Sequence, residues 1–177
     1  MSFIICRLVD NPICERQNLK SYCPVSQPNN GPSYSTPPNK CQPISCSSGQ
    51  VSSPNCLCAY PYSGTLVFRA TSISDLGHSG YYTDLELSLM ESFQLQKLPV
   101  NSVSLSNPFK DYSEDFKISL QIFPSGQVCF NRTGLSQVGF VLSNQTFKSP
   151  PVFGPYYFLA DLVPSDCYAG NFKFTFK

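Results

Sequence analysis

Hydrophobic positions organise this chain only beyond Tyr62. The run Gly64-Thr65-Leu66-Val67-Phe68-Arg69-Ala70 is rich in β-branched and aromatic residues between turn formers, and it predicts a buried strand. Residues 81–98 carry two overlapping signals: Leu85, Leu87 and Leu89 alternate as in a strand, while Leu85, Leu89 and Phe93 recur at helical spacing. The length of the run favours a helix, as do the Thr83/Glu86 capping-box pattern and the stop at Pro99, so a helix is expected over 84–97. Two strands should follow. In residues 100–106 Val103 and Leu105 alternate with serines; in 116–123 Phe116, Ile118, Leu120 and Ile122 face one way and Lys117, Ser119 and Gln121 the other.

Pro124-Ser125-Gly126 is a turn signal, and Leu135, Val138 and Leu142 predict a second, shorter helix over 133–145 with Thr133 as its cap. After the break at Pro150-Pro151, Tyr156-Tyr157-Phe158-Leu159-Ala160 reads as a last short strand. The order β-α-β-β-α-β predicts an α+β fold, a ferredoxin-like sandwich in which two helices cover one face of an antiparallel sheet.

Residues 21–62 behave differently. They hold one charged residue, Lys40, and eight prolines, with Ser, Asn and Gln filling most of the gaps. Such a stretch buries too little apolar area to offset its ordering entropy, so a loop-rich connector stapled by its cysteines is expected. Three regions follow: 1–62, 63–161 and an atypical tail, 162–177.

Charge narrows the partners. The formal net charge is +1 and charged residues are 13% of the chain; residues 1–62 carry +2 and the rest −1. No electrostatic footprint for nucleic acid or an anionic membrane exists in such a pattern. The length of 177 residues allows one core with an appendage.

Nine cysteines change the picture more. Cys6, Cys14, Cys23, Cys41, Cys46, Cys56 and Cys58 fall in the first sixty residues, leaving Cys129 and Cys167 for the remainder. That distribution points to an oxidising compartment, as do the sequons Asn131-Arg132-Thr133 and Asn144-Gln145-Thr146. The start does not match a secretory route. Met1-Ser2-Phe3-Ile4-Ile5-Cys6 falls short of the roughly 7–15 apolar residues of a signal-peptide core, and no basic residue precedes it. No run approaches the ~18 apolar residues of a membrane span. The expectation is a piece of a longer receptor, from a truncated gene model or a variant transcript.

Several ordered strings are familiar. They are Asn11-Pro12-Ile13-Cys14 with Cys23, the run from Cys56-Leu57-Cys58-Ala59-Tyr60-Pro61-Tyr62 through Ala70, Ser102-Val103-Ser104-Leu105, Phe130-Asn131-Arg132-Thr133-Gly134, and Gly139 to Phe147 continuing to Gly154-Pro155-Tyr156-Tyr157-Phe158. Over residues 8–161 the chain resembles plant leucine-rich-repeat receptor-like serine/threonine kinases, in the ectodomain between the last repeat and the membrane helix. The subfamily it resembles includes sensors of extracellular hydrogen peroxide and quinones.

The resemblance implies a single-pass plasma-membrane receptor with a cytoplasmic kinase, of which this chain matches the membrane-proximal part on the extracellular side, preceded by a repeat-end cap in 1–62. It implies co-receptor or other receptor ectodomains as partners and a small oxidant as possible signal. Cys14 and Cys23 would form a disulfide closing the repeat array. No kinase signature is present, so no enzyme activity and no cofactor are expected of the chain itself. After Asp161 the pattern departs from the family, ending in Phe172-Lys173-Phe174-Thr175-Phe176-Lys177. A free-standing secreted binding or decoy protein is the alternative.

Cys41, Cys46, Cys56 and Cys58 admit three pairings. Joining Cys56 to Cys58 closes a very small ring; a nested arrangement, such as Cys41 to Cys58 and Cys46 to Cys56, needs less distortion. A structural knot is the preferred reading, with a redox-responsive pair and a four-thiolate zinc site as alternatives. Cys6, Cys129 and Cys167 stand outside this pattern. Asn131 and Asn144 are candidate glycan sites. His78 near Asp75 is a weak acid–base pair, better read as a solvated loop histidine, and Asp111, Glu114 and Asp115 lack the spacing of a calcium loop and suit a polar hairpin tip.

Overall fold

The alternation in Phe116–Pro124 places Phe116, Ile118, Leu120 and Ile122 on one face of a strand, and all four are fully buried. The computed structural model describes residues 33–42, 44–69, 71–111 and 114–161 together with Cys167. Cys6, Cys14, Cys23 and the tail other than Cys167 lie outside the described residues.

In chain order the elements are β1 (Val51–Ser52), β2 (Cys58–Ala59), β3 (Tyr62–Phe68), α1 (Ser79–Leu95), β4 (Val100–Lys110), β5 (Phe116–Pro124), α2 (Arg132–Ser143) and β6 (Tyr156–Ala160). β1 and β2 make a small hairpin, and the other four strands form an antiparallel sheet in the order β4-β5-β3-β6. Each helix therefore joins two strands that leave room between them for one strand of the other unit, the split β-α-β connectivity. The α+β class and the order of elements agree with the sequence pattern.

Both helices contribute to one core against the same face of the sheet. Tyr82, Leu85, Leu89 and Phe93 of α1, and Val138, Val141 and Leu142 of α2, share a buried cluster with Leu66, Phe68, Leu105 and the four β5 residues. Leu87, which a strand reading would bury, is 58% exposed, so helical period wins over alternation here.

Element ends differ from the sequence reading. α1 begins at Ser79, five residues before the expected 84; His78 is its N-cap and Thr83 lies inside the helix, donating its hydroxyl to the Ser79 carbonyl at 3.3 Å. The capping box is not formed because Thr83 lies within the helix rather than at its start, and the Glu86 carboxylate instead accepts from Tyr34 and Thr36. α2 is capped by Asn131 rather than Thr133: its side chain accepts the Gly134 N–H at 2.7 Å. β3 starts at Tyr62 rather than 64, and β4 runs on to Lys110, bent by irregular pairing between Ser106 and Phe109 where Asn107 has φ 52°.

One glycine is fixed by its neighbours. A Cβ on Gly64 would run into the Leu159 carbonyl and the Phe158 ring of β6, so close approach of β3 and β6 depends on the missing side chain. Among the described residues no helix is long and apolar enough to cross a membrane.

Candidate functional site

The four clustered cysteines are drawn together by backbone hydrogen bonds that a polar, proline-rich stretch supplies locally. In the turn between β1 and β2, Cys56 N–H donates to Ser53 O at 2.8 Å, Ser53 N–H to Leu57 O at 2.9 Å, and Leu57 N–H to Ser53 Oγ at 3.1 Å. Cys56 takes a left-handed conformation there, φ 55°. Asn39 N–H donates to Pro54 O at 2.7 Å and so brings the segment leading to Cys41 against that turn.

The pairing follows from this arrangement. Cys41 bonds Cys56 with a Cα separation of 6.1 Å, and Cys46 bonds Cys58 at 5.4 Å. The nested pairing expected as the less distorted one is not formed. Its failure has a local cause: Cys41 is held beside the turn that carries Cys56, whereas Cys58 has already entered β2, opposite Ser52. With both bridges closed, the four sulfurs offer no thiolate for zinc.

The cystine hairpin packs on the face of the sheet turned away from the helices. Asn55 Nδ2 donates to Asn101 Oδ1 of β4 at 2.8 Å, and Tyr60 N–H to Val128 O at 2.8 Å, in the loop after β5. Between hairpin and sheet lies an open cavity of about 280 Å³, walled by Leu57, Cys58, Ala59, Phe123, Pro124 and Val128 among others. This explains why Phe123 is buried although it sits on the opposite face from Ile122. Leu57 and Val128 remain half exposed at the rim.

A third bridge joins Cys129 to Cys167, with Cα atoms 5.9 Å apart and a sequence separation of 38. The sequence reading places these two cysteines outside the four-cysteine pattern without assigning them partners. Their sequence separation gives no local signal, so spacing alone could not pair them.

The remaining candidates separate. Asn131 and Asn144 are exposed and sit at the two ends of α2, as its N-cap and C-cap. His78 lies with its ring 4.6 Å from that of Tyr81, and Asp75 Oδ1 accepts the Gly77 N–H at 2.8 Å. Asp111 accepts the Asp115 N–H at 3.1 Å and pairs with Lys117 Nζ at 2.7 Å, an anchor for the β4–β5 connection. The Asp111 carboxylate holds the Lys117 ammonium above the usual lysine range. Among the described residues no group of three or more His, Cys, Asp or Glu is arranged to hold a metal ion.

Sequence reading missed one further constellation. Residues 34–36 lie along the outer edge of β4, bridging Ser35 to Ser106. Tyr34 stacks on Tyr82 with ring centres 4.2 Å apart and donates its hydroxyl to Glu86 Oε1 at 3.0 Å, while the Thr36 hydroxyl also donates to Glu86. Burial raises the Glu86 carboxyl above its ordinary value, and the two hydroxyls oppose that rise. Tyr34 and Tyr82 are both pushed up to about 12, first by burial.

No protein-family model matches the chain, and no solved structure matches it. It is 35% identical over 157 residues to a protein of Arabidopsis thaliana described as a probable leucine-rich repeat receptor-like protein kinase. The matched stretch takes in 87% of this chain and 16% of that protein, so the chain spans about a sixth of the relative's length. The likeness supports the plant receptor-like kinase family.

Proposed function

We propose that this chain is a membrane-proximal ectodomain segment of a plant leucine-rich-repeat receptor-like serine/threonine kinase, contributing to perception of an extracellular signal. The observation that carries the reading is the extent of the likeness: 35% identity through 87% of the chain spans connector and sheet together, not one short motif. Closed bridges at Cys41–Cys56, Cys46–Cys58 and Cys129–Cys167 suit an extracellular setting. In this role the domain is a spacer of fixed geometry. The chain itself performs no chemistry beyond thiol exchange; phosphoryl transfer belongs to a kinase elsewhere in the parent receptor. Glycans on Asn131 and Asn144 would decorate the two ends of α2, and other receptor ectodomains are the partners to seek.

Cysteine-based oxidant sensing is the finer form of the proposal. Its bearers are the four clustered cysteines, and of these Cys58 borders the cavity. Peroxide oxidises thiols, not closed bridges, so sensing starts from a form with at least one pair reduced. Non-reducing peptide mapping before and after peroxide tests it: a pair that is open beforehand and closed afterwards supports sensing, and unchanged connectivity removes it.

The parent architecture is tested separately by the genomic sequence on both sides of the coding region. Leucine-rich repeats upstream, with an apolar span and kinase signatures downstream, are the expected result. Flanks that carry neither overturn the proposal.

A further inference from the structure

The two outer strands of the four-stranded sheet are finished differently. The edge of β4 is occupied by residues 34–36: Thr36 N–H donates to Leu105 O at 2.9 Å, and Asn107 N–H to Tyr34 O at 3.0 Å. β6 is the opposite edge, and among the described residues it pairs with β3 alone. Arg69 N–H donates to Pro155 O and Asp161 N–H to Ser63 O, each at 3.0 Å, so Tyr157 and Leu159 between them also turn their backbone groups toward β3. Those of Tyr156, Phe158 and Ala160 then point outward. The Tyr156 carbonyl already accepts Gln145 Nε2 at 3.1 Å, which closes the edge at that end. Phe158 and Ala160 keep outward donors and acceptors on a strand, Tyr156-Tyr157-Phe158-Leu159-Ala160, that has neither the lysine nor the proline with which edges are usually guarded. Phe158 packs against the core on the helix side, and Leu159, on the other face, is 53% exposed.

We propose that β6 is a self-association edge, to which a second copy of this chain adds its own β6 antiparallel about a two-fold axis at Leu159. In that register Phe158 of each copy opposes Ala160 of the other, which uses every outward donor and acceptor of both residues and leaves the Tyr156 carbonyl to Gln145. Centring the pair on Phe158 would set Tyr156 against Ala160 at the cost of the Gln145 contact; centring it on Ala160 would carry Phe158 past the end of β6. The two Leu159 side chains meet at the axis. Charge selects a second copy over an unrelated strand. Asp161, exposed one step beyond β6, falls opposite Tyr157 of the other copy, and Tyr157 carries the Arg69 guanidinium 5.0 Å from its ring centre. By symmetry this match of carboxylate and guanidinium occurs on both sides of the axis. The contact is small, so the dimer is a weak one. This inference stands apart from the receptor reading and does not depend on it.

Amide hydrogen exchange on the full chain tests it, followed from about 10 μM to about 1 mM with sedimentation equilibrium over the same range. Protection of the Phe158 and Ala160 amides should rise by about tenfold, the factor reached when about nine chains in ten are paired. The Asn107 amide, at the occupied β4 edge, should stay level. Asp161→Arg sets like charges together twice in the dimer and should weaken association about tenfold, as should Arg69→Glu. Asp161→Arg/Arg69→Glu exchanges the match rather than removing it and should regain the wild-type affinity. Both positions are exposed, so all three variants should fold as the parent does, which the Asn107 amide checks. A chain that stays monomeric at the highest concentration, association that protects Asn107 in place of Phe158 and Ala160, or a double variant that pairs no better than the single ones overturns the proposal.

Discussion

Tyr60 N–H donates to the Val128 carbonyl at 2.8 Å, and this bond brings two of the three cystine bridges among the described residues to one corner of the sheet: Cys58 lies two residues before Tyr60, and Cys129 directly follows Val128. The connector is thus fastened to the same loop that carries the bridge to Cys167. Proteolysis under non-reducing conditions should release linked peptides for Cys41–Cys56, Cys46–Cys58 and Cys129–Cys167. A peptide joining Cys41 to Cys58 or Cys46 to Cys56 would refute the crossed arrangement. By chain entropy alone the Cys129–Cys167 bridge, with the longest loop, is expected to contribute most, about 3–4 kcal/mol, so a Cys129→Ser/Cys167→Ser chain should lose more stability in urea than Cys46→Ser/Cys58→Ser.

The helical reading of residues 79–95 predicts a contrast between two leucines one half-turn apart. Leu89 is fully buried in the core and Leu87 is 58% exposed. Leu89→Ala should cost about 2–5 kcal/mol through lost burial and a residual cavity, whereas Leu87→Ala should fall within about 0.5 kcal/mol of the wild type. Equal losses in chemical denaturation would contradict the assignment of faces.

What the sequence makes legible follows from which interactions are local. Phe116, Ile118, Leu120 and Ile122 read as one strand face because side-chain alternation is written in consecutive residues, and Leu85, Leu89 and Phe93 read as a helix face for the same reason. Cap positions were displaced because they turn on competition between neighbours. Thr133 and Asn131 both suit an N-cap, and the backbone entering α2 presents Asn131 Oδ1 to Gly134. The contact of residues 34–36 with β4 and the Cys129–Cys167 bridge were illegible: Thr36 and Leu105 are 69 positions apart in sequence, and the two cysteines 38. Polar runs such as 33–42 carry no period that reveals their partners. Their order comes from long-range hydrogen bonds.

Asn131 serves as both helix cap and sequon asparagine, and the two roles can be separated in protein made without glycosylation. Asn131→Ala removes the acceptor for Gly134 N–H and should lower stability by about 0.5–2 kcal/mol. Thr133→Ala destroys the same sequon but leaves that cap in place, so it should melt close to the wild type. Loss in the threonine variant with none in the asparagine variant would return the cap to Thr133.

Gly64 should tolerate no side chain. Its Cβ position is taken by the Leu159 carbonyl and the Phe158 ring, so Gly64→Ala must push β6 away from β3. Overpacking of this kind costs about 1–3 kcal/mol. Hydrogen exchange should localise the damage to the Gly64–Ala160 end of the β3–β6 pairing, leaving the β4–β5 amides protected; uniform loss across the sheet would count against it.

The pH dependence of stability has a sign that Glu86 determines locally. Its folded-state carboxyl is raised above the ordinary glutamate value, chiefly by burial, so the folded chain holds that proton more tightly than the unfolded chain. The resulting stabilisation is fully present below the unfolded value and is lost as pH rises through the folded one. Tyr34→Phe keeps a ring for the stack on Tyr82 but deletes a hydroxyl that favours the charged carboxylate. It should therefore raise the Glu86 midpoint further, read as the pH at which the side-chain carboxyl ¹³C shift is half-titrated. It should also move the loss of stability to higher pH by the same amount. Glu86→Gln should remove this contribution altogether. A midpoint that falls in Tyr34→Phe would show that the tyrosine hydroxyl stabilises the protonated acid instead.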